Sequence, residues 1–245
     1  HAVYETAIFK SPTGQTLPYR LLRPKRIQAD QQYPLVLLLH GAGERGDDNR
    51  GSLVHAAAEF ARVDRRDDYP AFVVVPQCPE LQRWVESDWS LPSGRGQIPE
   101  QPAAAMSMAL QLVDTLVGEE PVDPSRLYVT GLSMGGQGAW FAAAAPPRRF
   151  AALLAVCGGC DPDWAERFAG VSVWAFHGQQ DSVVPVSRSR EMIVALTQAG
   201  HFPELRYVEY PGVDHNSWTQ TYVRDDVFEW LFSRQRLGGP PAARQ

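Results

Sequence analysis

Leu127-Tyr128-Val129-Thr130-Gly131-Leu132-Ser133-Met134-Gly135 runs from a short, unbroken apolar stretch into a Gly- and Ala-rich one. Continuous apolarity over so few residues marks a strand buried on both faces, and the apolar spacing over 135–145 predicts a helix. Between the two stands G-x-S-x-G. On a tight strand-to-helix turn this arrangement lifts a serine hydroxyl above a sheet, and glycines flank it because a Cβ there would meet neighbouring backbone. The free N–H groups and positive dipole end of the following helix suit a developing oxyanion. A bare five-residue match arises by chance, so the weight rests on the strand before it and the helix after it. Ser133 is the candidate nucleophile.

Working outward, 35–39, 71–75, 127–130, 152–156 and 171–176 are short apolar runs of the central-strand kind. The run 205–210 alternates and predicts an edge strand, while 4–10 and 17–23 predict an antiparallel pair turning at Ser11-Pro12-Thr13-Gly14. Helical spacing recurs over 51–62, 103–117, 135–145, 187–199 and 222–234. Strand and helix in alternation call for an α/β fold, a mostly parallel sheet covered by helices on both faces. No linker interrupts it, so one domain is expected over 1–237, with 238–245 as a disordered tail. The segment 79–102, rich in proline and holding Trp84 and Trp89, breaks the alternation; irregular loops of this length are often functional.

The chain has 245 residues, 44% hydrophobic and 21% charged, with a formal net charge of −5. No basic face is available to neutralise phosphates, which argues against nucleic acid as a partner. No apolar stretch reaches the roughly 20 residues that a membrane-spanning helix needs. Three cysteines cannot form a disulfide framework, and Cys157-Gly-Gly-Cys160 lacks the second pair or nearby histidine that would complete a zinc site, so no metal is expected. The chain opens at His1 without methionine, as a processed or trimmed product would.

Of six histidines, His1 is terminal, His55 falls within a predicted helix, and His201 follows a helix-ending Gly200. His40 and His177 each end a strand before a glycine and are read as shaping those turns. His215, in the loop between the last strand and the last helix, can swing over the carboxyl edge of the sheet and is the candidate base. The acid should fall between nucleophile and base in chain order. Asp181, just past the penultimate strand, is favoured, with Asp161 and Asp163, one strand earlier, as its competitors. Its task would be to hold the imidazole in one tautomer and stabilise the imidazolium. Asp214 is too near His215 in sequence to orient its ring.

His40-Gly41-Ala42-Gly43-Glu44-Arg45-Gly46 follows the first buried strand, and its small residues allow close approach to a carbonyl. The Met134 amide is the first expected oxyanion donor and Ala42 the second, with Gly41 and Gly43 as alternatives. The loop lacks the Lys-Ser/Thr ending of a phosphate-binding loop. Asp47-Asp48-Asn49 matches no calcium-loop spacing and reads as a solvated turn. Trp84 and Trp218 are candidate walls of a substrate cleft or else caps of the core, and Trp89 ranks below them.

These motifs, in this order and nearly end to end, resemble the α/β-hydrolase superfamily. The closest likeness is to single-domain esterases grouped with dienelactone hydrolases, the phospholipase/carboxylesterase family and the catalytic domain of prolyl oligopeptidases. Leu39 through Gly46, Pro76-Gln77-Cys78-Pro79 with Trp84 downstream, and Pro211 through Trp218 are similar to a bacterial subgroup described as predicted peptidases or feruloyl-type and acetyl esterases. The resemblance implies an eight-stranded sheet without a large cap domain, no cofactor, a small-molecule ester as substrate, and for many relatives a secreted or periplasmic home. Gln77 joins Trp84 and Trp218 as a substrate-binding candidate. A serine at the nucleophile position separates the chain from dienelactone hydrolase itself, and with no β-propeller in the chain the oligopeptidase activity is not carried over. A peptidase or amidase on the same residues is the rival reading.

Overall fold

The computed structural model describes residues 3–145, 149–200 and 203–236; His1, His201 and the expected tail 238–245 lie outside them. Eight strands form one sheet in the order β1-β2-β4-β3-β5-β6-β7-β8. β1 (Glu5–Lys10) and β2 (Thr16–Leu22) are the antiparallel hairpin, and β2 also runs antiparallel to β4 (Phe72–Pro76). From β4 onward every pairing is parallel: β3 (Tyr33–Leu39), β5 (Val122–Leu132), β6 (Ala152–Val156), β7 (Ser172–Gly178) and β8 (Leu205–Tyr210).

The apolar runs are unbroken because both faces of the sheet are covered. On β3, Leu35, Leu37 and Leu39 enter one buried cluster with Met106, Leu112, Trp140 and Phe141. Val36 and Leu38, pointing the other way, enter a second with Phe60, Tyr222 and Phe228. The first cluster includes residues of α3 (Ala104–Glu119), α4 (Met134–Ala144) and α5 (Ser187–Ala199). The second includes residues of α1 (Ala57–Phe60), α6 (Trp218–Tyr222) and α7 (Asp225–Phe232). Among the described residues no helix is long and apolar enough to cross a membrane.

Two predicted helices are broken. The span 51–62 holds a short 3-10 turn at Gly51–Leu53 and then α1, and Arg62, with extended backbone, separates α1 from α2 (Val63–Asp68). The span 222–234 is divided at Arg224, also extended (ψ 131°), whose guanidinium binds both oxygens of Asp226 in the first turn of α7. In both places an arginine side chain reaches forward to an acidic residue of the next helix, a local bond that apolar periodicity does not register. β5 also begins five residues earlier than its apolar run, at Val122, beside Tyr33 of β3.

Because β3, β5, β7 and β8 are parallel, the loops that follow them leave from one edge of the sheet. That edge receives 40–46 after β3, Ser133 after β5, Asp181 after β7 and His215 after β8. Open α/β sheets bind ligands at this carboxyl edge.

Candidate active site

Ser133 sits alone between the last residue of β5 and the first of α4, with φ 55° and ψ −122°. A non-glycine residue at positive φ is strained, and such strain persists only where the surroundings enforce it. Here the enforcement is crowding. A Cβ on Gly131 would run into the Gly135 carbonyl, and one on Gly135 into that of Leu39. The Ser133 amide is anchored to the Val156 carbonyl at 3.0 Å and faces the Cys157 sulfur at 3.3 Å.

The Ser133 hydroxyl lies 2.8 Å from His215 Nε2, and His215 Nδ1 lies 2.8 and 3.0 Å from the two oxygens of Asp181. Neutral imidazole donates from one nitrogen and accepts at the other, so the Asp181 carboxylate selects the tautomer with its proton on Nδ1. Nε2 is then free to accept the serine proton. The His215 loop is tied down by Asp214, whose Oδ1 accepts from the amides of His215 (2.7 Å) and Ser182 (2.8 Å) and from the Ser182 hydroxyl. Asp214 therefore orients the loop and not the ring.

The Asp181 side chain is fully enclosed. Burial alone would raise its pKa, but hydrogen bonds from His177, His215 and the amides of Val184 and Val183 outweigh it and hold the carboxyl well below the usual carboxylate range. Its sequence rivals are occupied elsewhere. Asp161 accepts from the amides of Gly96 (2.7 Å) and Asp163 (2.9 Å), and Asp163 pairs with Arg95.

The loop after β3 is braced from below. His40 donates from Nδ1 to the Gly41 carbonyl (2.6 Å) and accepts the Cys78 amide at Nε2 (2.9 Å). Burial lowers its pKa to about 4, so it stays neutral. A Cβ on Gly41 would lie 3.6 Å from that of Ser133, which brings this loop against Ser133 itself. Ala42 and Met134 are each the first residue of a helical turn. Amides in that position have no acceptor within the helix.

Two expected cleft residues lie beneath the cleft. Trp84 is 0% exposed; its indole donates to the His40 carbonyl (3.1 Å) and its ring meets the imidazole edge at 5.3 Å. Gln77, also buried, accepts from the Asn49 amide (2.6 Å) and donates to the Glu44 carbonyl (3.1 Å) and Asp48 (2.9 Å), clamping the loop from inside. Both side chains pair with the backbone of the loop, and Gln77 also with the Asp48 carboxylate.

The cleft itself, about 210 Å³, is lined by Gly41, Ala42, Ser133 and His215, with Trp89, Trp218, Leu132 and Val183 as its apolar walls. Trp89 stands there while Trp84, five residues away in the same loop, does not. The loop is fastened by Arg188, which donates to the Ser93 carbonyl (2.8 Å), and by the Asp161 bond to Gly96. The Arg83 guanidinium covers the Trp89 ring at 4.5 Å. Sequence reasoning also missed Glu44 and His55, which complete the wall. They pair at 3.3 Å, and the His55 ring lies 5.3 Å from that of Trp218. Helical periodicity hid His55, and no short motif links it to Glu44.

All three cysteines are buried and unbonded to one another. Among the described residues one group of potential metal ligands gathers closely: Cys157, Asp181 and His215. Its carboxylate and imidazole are already bonded to each other.

The family model described as "Putative esterase" matches residues 11–192. The curated protein "Putative esterase NocK" of Nocardia uniformis subsp. tsuyamanensis is 31% identical over 176 residues, 70% of this chain and 47% of NocK. The chain thus spans about half the length of that relative. A solved thermostable esterase superposes with a TM-score of 0.87 at 36% identity, over 96% of this chain and 64% of that one. A ferulic acid esterase of Anaeromyces mucronatus shares the fold, with a TM-score of 0.61 at 12% identity over 94% of this chain and 90% of its own. Strand order, the strained turn at Ser133 and the match across most of its length agree: the chain belongs to this esterase family and has the α/β-hydrolase fold.

Proposed function

We propose that the chain hydrolyses carboxylic esters through a Ser133–His215–Asp181 triad and an acyl-enzyme intermediate. The observation that carries this reading is the unbroken hydrogen-bonded path from the Ser133 hydroxyl through His215 to the buried Asp181. Ser133 attacks the ester carbonyl as His215 Nε2 takes its proton, and the Ala42 and Met134 amides receive the oxyanion. His215 returns the proton to the departing alcohol, then activates the water that releases the acid. Asp181 stabilises the imidazolium formed at each step. The cleft volume and its walls of Trp89, Trp218, Leu132 and Val183 suit small to medium esters, feruloyl and acetyl esters of plant polysaccharides among them.

The test is Ser133→Ala assayed on a p-nitrophenyl ester, beside fluorophosphonate labelling of the parent. Turnover should fall by several powers of ten and labelling should occur at Ser133. Near-normal turnover in the variant refutes the mechanism. Parallel assays on matched ester and amide substrates separate this reading from a peptidase on the same residues.

A further inference from the structure

A second groove, of about 160 Å³, opens beside the catalytic cleft between the turn ahead of α1 and helix α6. Val54, Ala56, Tyr222 and Val223 supply the apolar half of its lining, His55, Glu59 and Thr219 lie on the polar half, and Val54 and Val223 stand 57% and 49% exposed at its rim. The polar groups at its margin are engaged with neighbours: Glu59 with Arg62 (3.1 Å), the Thr219 hydroxyl with Asn216 (2.9 Å), and the Tyr222 hydroxyl with Thr130 (2.8 Å). The groove and the cleft share two residues, His55 and Trp218, whose rings form a ridge between them.

The ridge stands on a particular side of the nucleophile. Trp218 packs edge-on against His215, ring centres 5.3 Å apart. An imidazole that gives its proton to a leaving oxygen must lie within hydrogen-bond reach of it. The substituent on that oxygen therefore departs on the His215 side, toward Trp218, while the carbonyl oxygen faces Ala42 and Met134. We infer that the groove bounded by Val54, Tyr222 and Val223 is the subsite for the alcohol portion of the ester, and that it takes an uncharged alcohol of about ring size laid across the His55–Trp218 ridge with its apolar face on Val54 and Val223. A cavity of about 150 Å³ holds a benzene ring, so the volume fits. This inference rests on the esterase reading above.

The test compares benzyl and methyl esters of one short acid in the parent, Val54→Trp and Val223→Trp, with fluorophosphonate labelling of Ser133 as the check on folding. The parent should favour the benzyl ester by at least tenfold in kcat/KM, and both variants should cut the benzyl-to-methyl ratio at least tenfold. Competitive inhibition by benzyl alcohol should weaken in the same proportion. A ratio that stays within twofold of the parent's in labelled variants overturns the inference. So does a loss confined to methyl esters of bulky acids, which would assign the groove to the acyl portion. A parent that is neither labelled nor active on either ester removes the esterase reading and this one with it, an outcome distinct from both.

Discussion

His177 Nε2 lies 3.2 Å from Asp181 Oδ2, the same oxygen that meets His215 Nδ1 at 2.8 Å. His177 is fully buried at the end of β7, and its ring is pinned by the Ser189 hydroxyl (2.7 Å) and the Val184 carbonyl (2.9 Å). The carboxylate that orients the His215 ring is thus held by a second imidazole that never reaches the cleft. Replacing His177 by Phe removes one hydrogen bond to a charged group, which is worth about 1.5–3 kcal/mol. On the proposed mechanism Asp181 acts on the imidazolium formed during reaction, so kcat should fall about ten- to a hundredfold and KM should hold. Steady-state kinetics decide it; a change in KM alone would leave His177 a merely structural residue.

The assignment of the acid separates two carboxylates. Asp181→Asn should lower kcat by about four powers of ten, because an amide in that place favours the wrong imidazole tautomer. Asp161→Asn should cost less than about tenfold, because Asp161 caps a turn and binds the Gly96 amide far from the imidazole. The opposite ranking in a parallel assay would move the acid one strand earlier.

His40 makes stability depend on pH. Its pKa falls from 6.5 in the unfolded chain to about 4 in the fold, where burial disfavours the charged ring. Above pH 6.5 both states are neutral and the residue contributes no slope. Between about 6.5 and 4 the unfolded chain binds a proton that the folded one rejects, so stability falls as pH falls. The loss across that window is on the order of 3 kcal/mol. Urea unfolding at pH 7.5 and 4.5 should show a drop in the parent that is smaller by roughly that amount in His40→Asn; equal drops would rule out His40 as the source.

Cys78, Cys157 and Cys160 are buried, and burial raises each thiol to about 12. The thiolate is the reactive form. Native protein should therefore leave an aromatic disulfide reagent unreacted for hours and keep the ester hydrolysis proposed for it, whereas the denatured chain should titrate three thiols. Rapid loss of activity with one equivalent of reagent would show that Cys157, beside the Ser133 amide, is accessible after all.

The legible part of this protein was local. Unbroken apolar runs of four to six residues, as at 152–156, identify strands covered on both faces, because only a two-sided burial removes the need for alternation. Ser133 was visible because its turn demands glycine at 131 and 135, and His40, Asp181 and His215 because each lies in a short loop just past a strand end. Parallel neighbours must deliver such loops to one edge, so gathering them needed no knowledge of side-chain packing. Helix ends were less legible where Arg62 and Arg224 bond forward and interrupt the apolar spacing.

What only the tertiary structure decided is which side chains face the cleft beside Ser133. Trp84 and Trp89 share a loop and a chemistry, yet one is sealed under His40 and the other walls the cleft. Glu44 and His55 meet across eleven residues of sequence, and Gln77 turns inward to hold the backbone of the loop above it. Each outcome depends on where a long segment is fastened, by Arg188 to Ser93 and Asp161 to Gly96 in the case of 79–102. Those bonds join residues about 65 to 95 positions apart, a separation at which periodicity and motif spacing carry no signal, so the residue types of the cleft could be guessed from sequence but its walls were chosen by the fold.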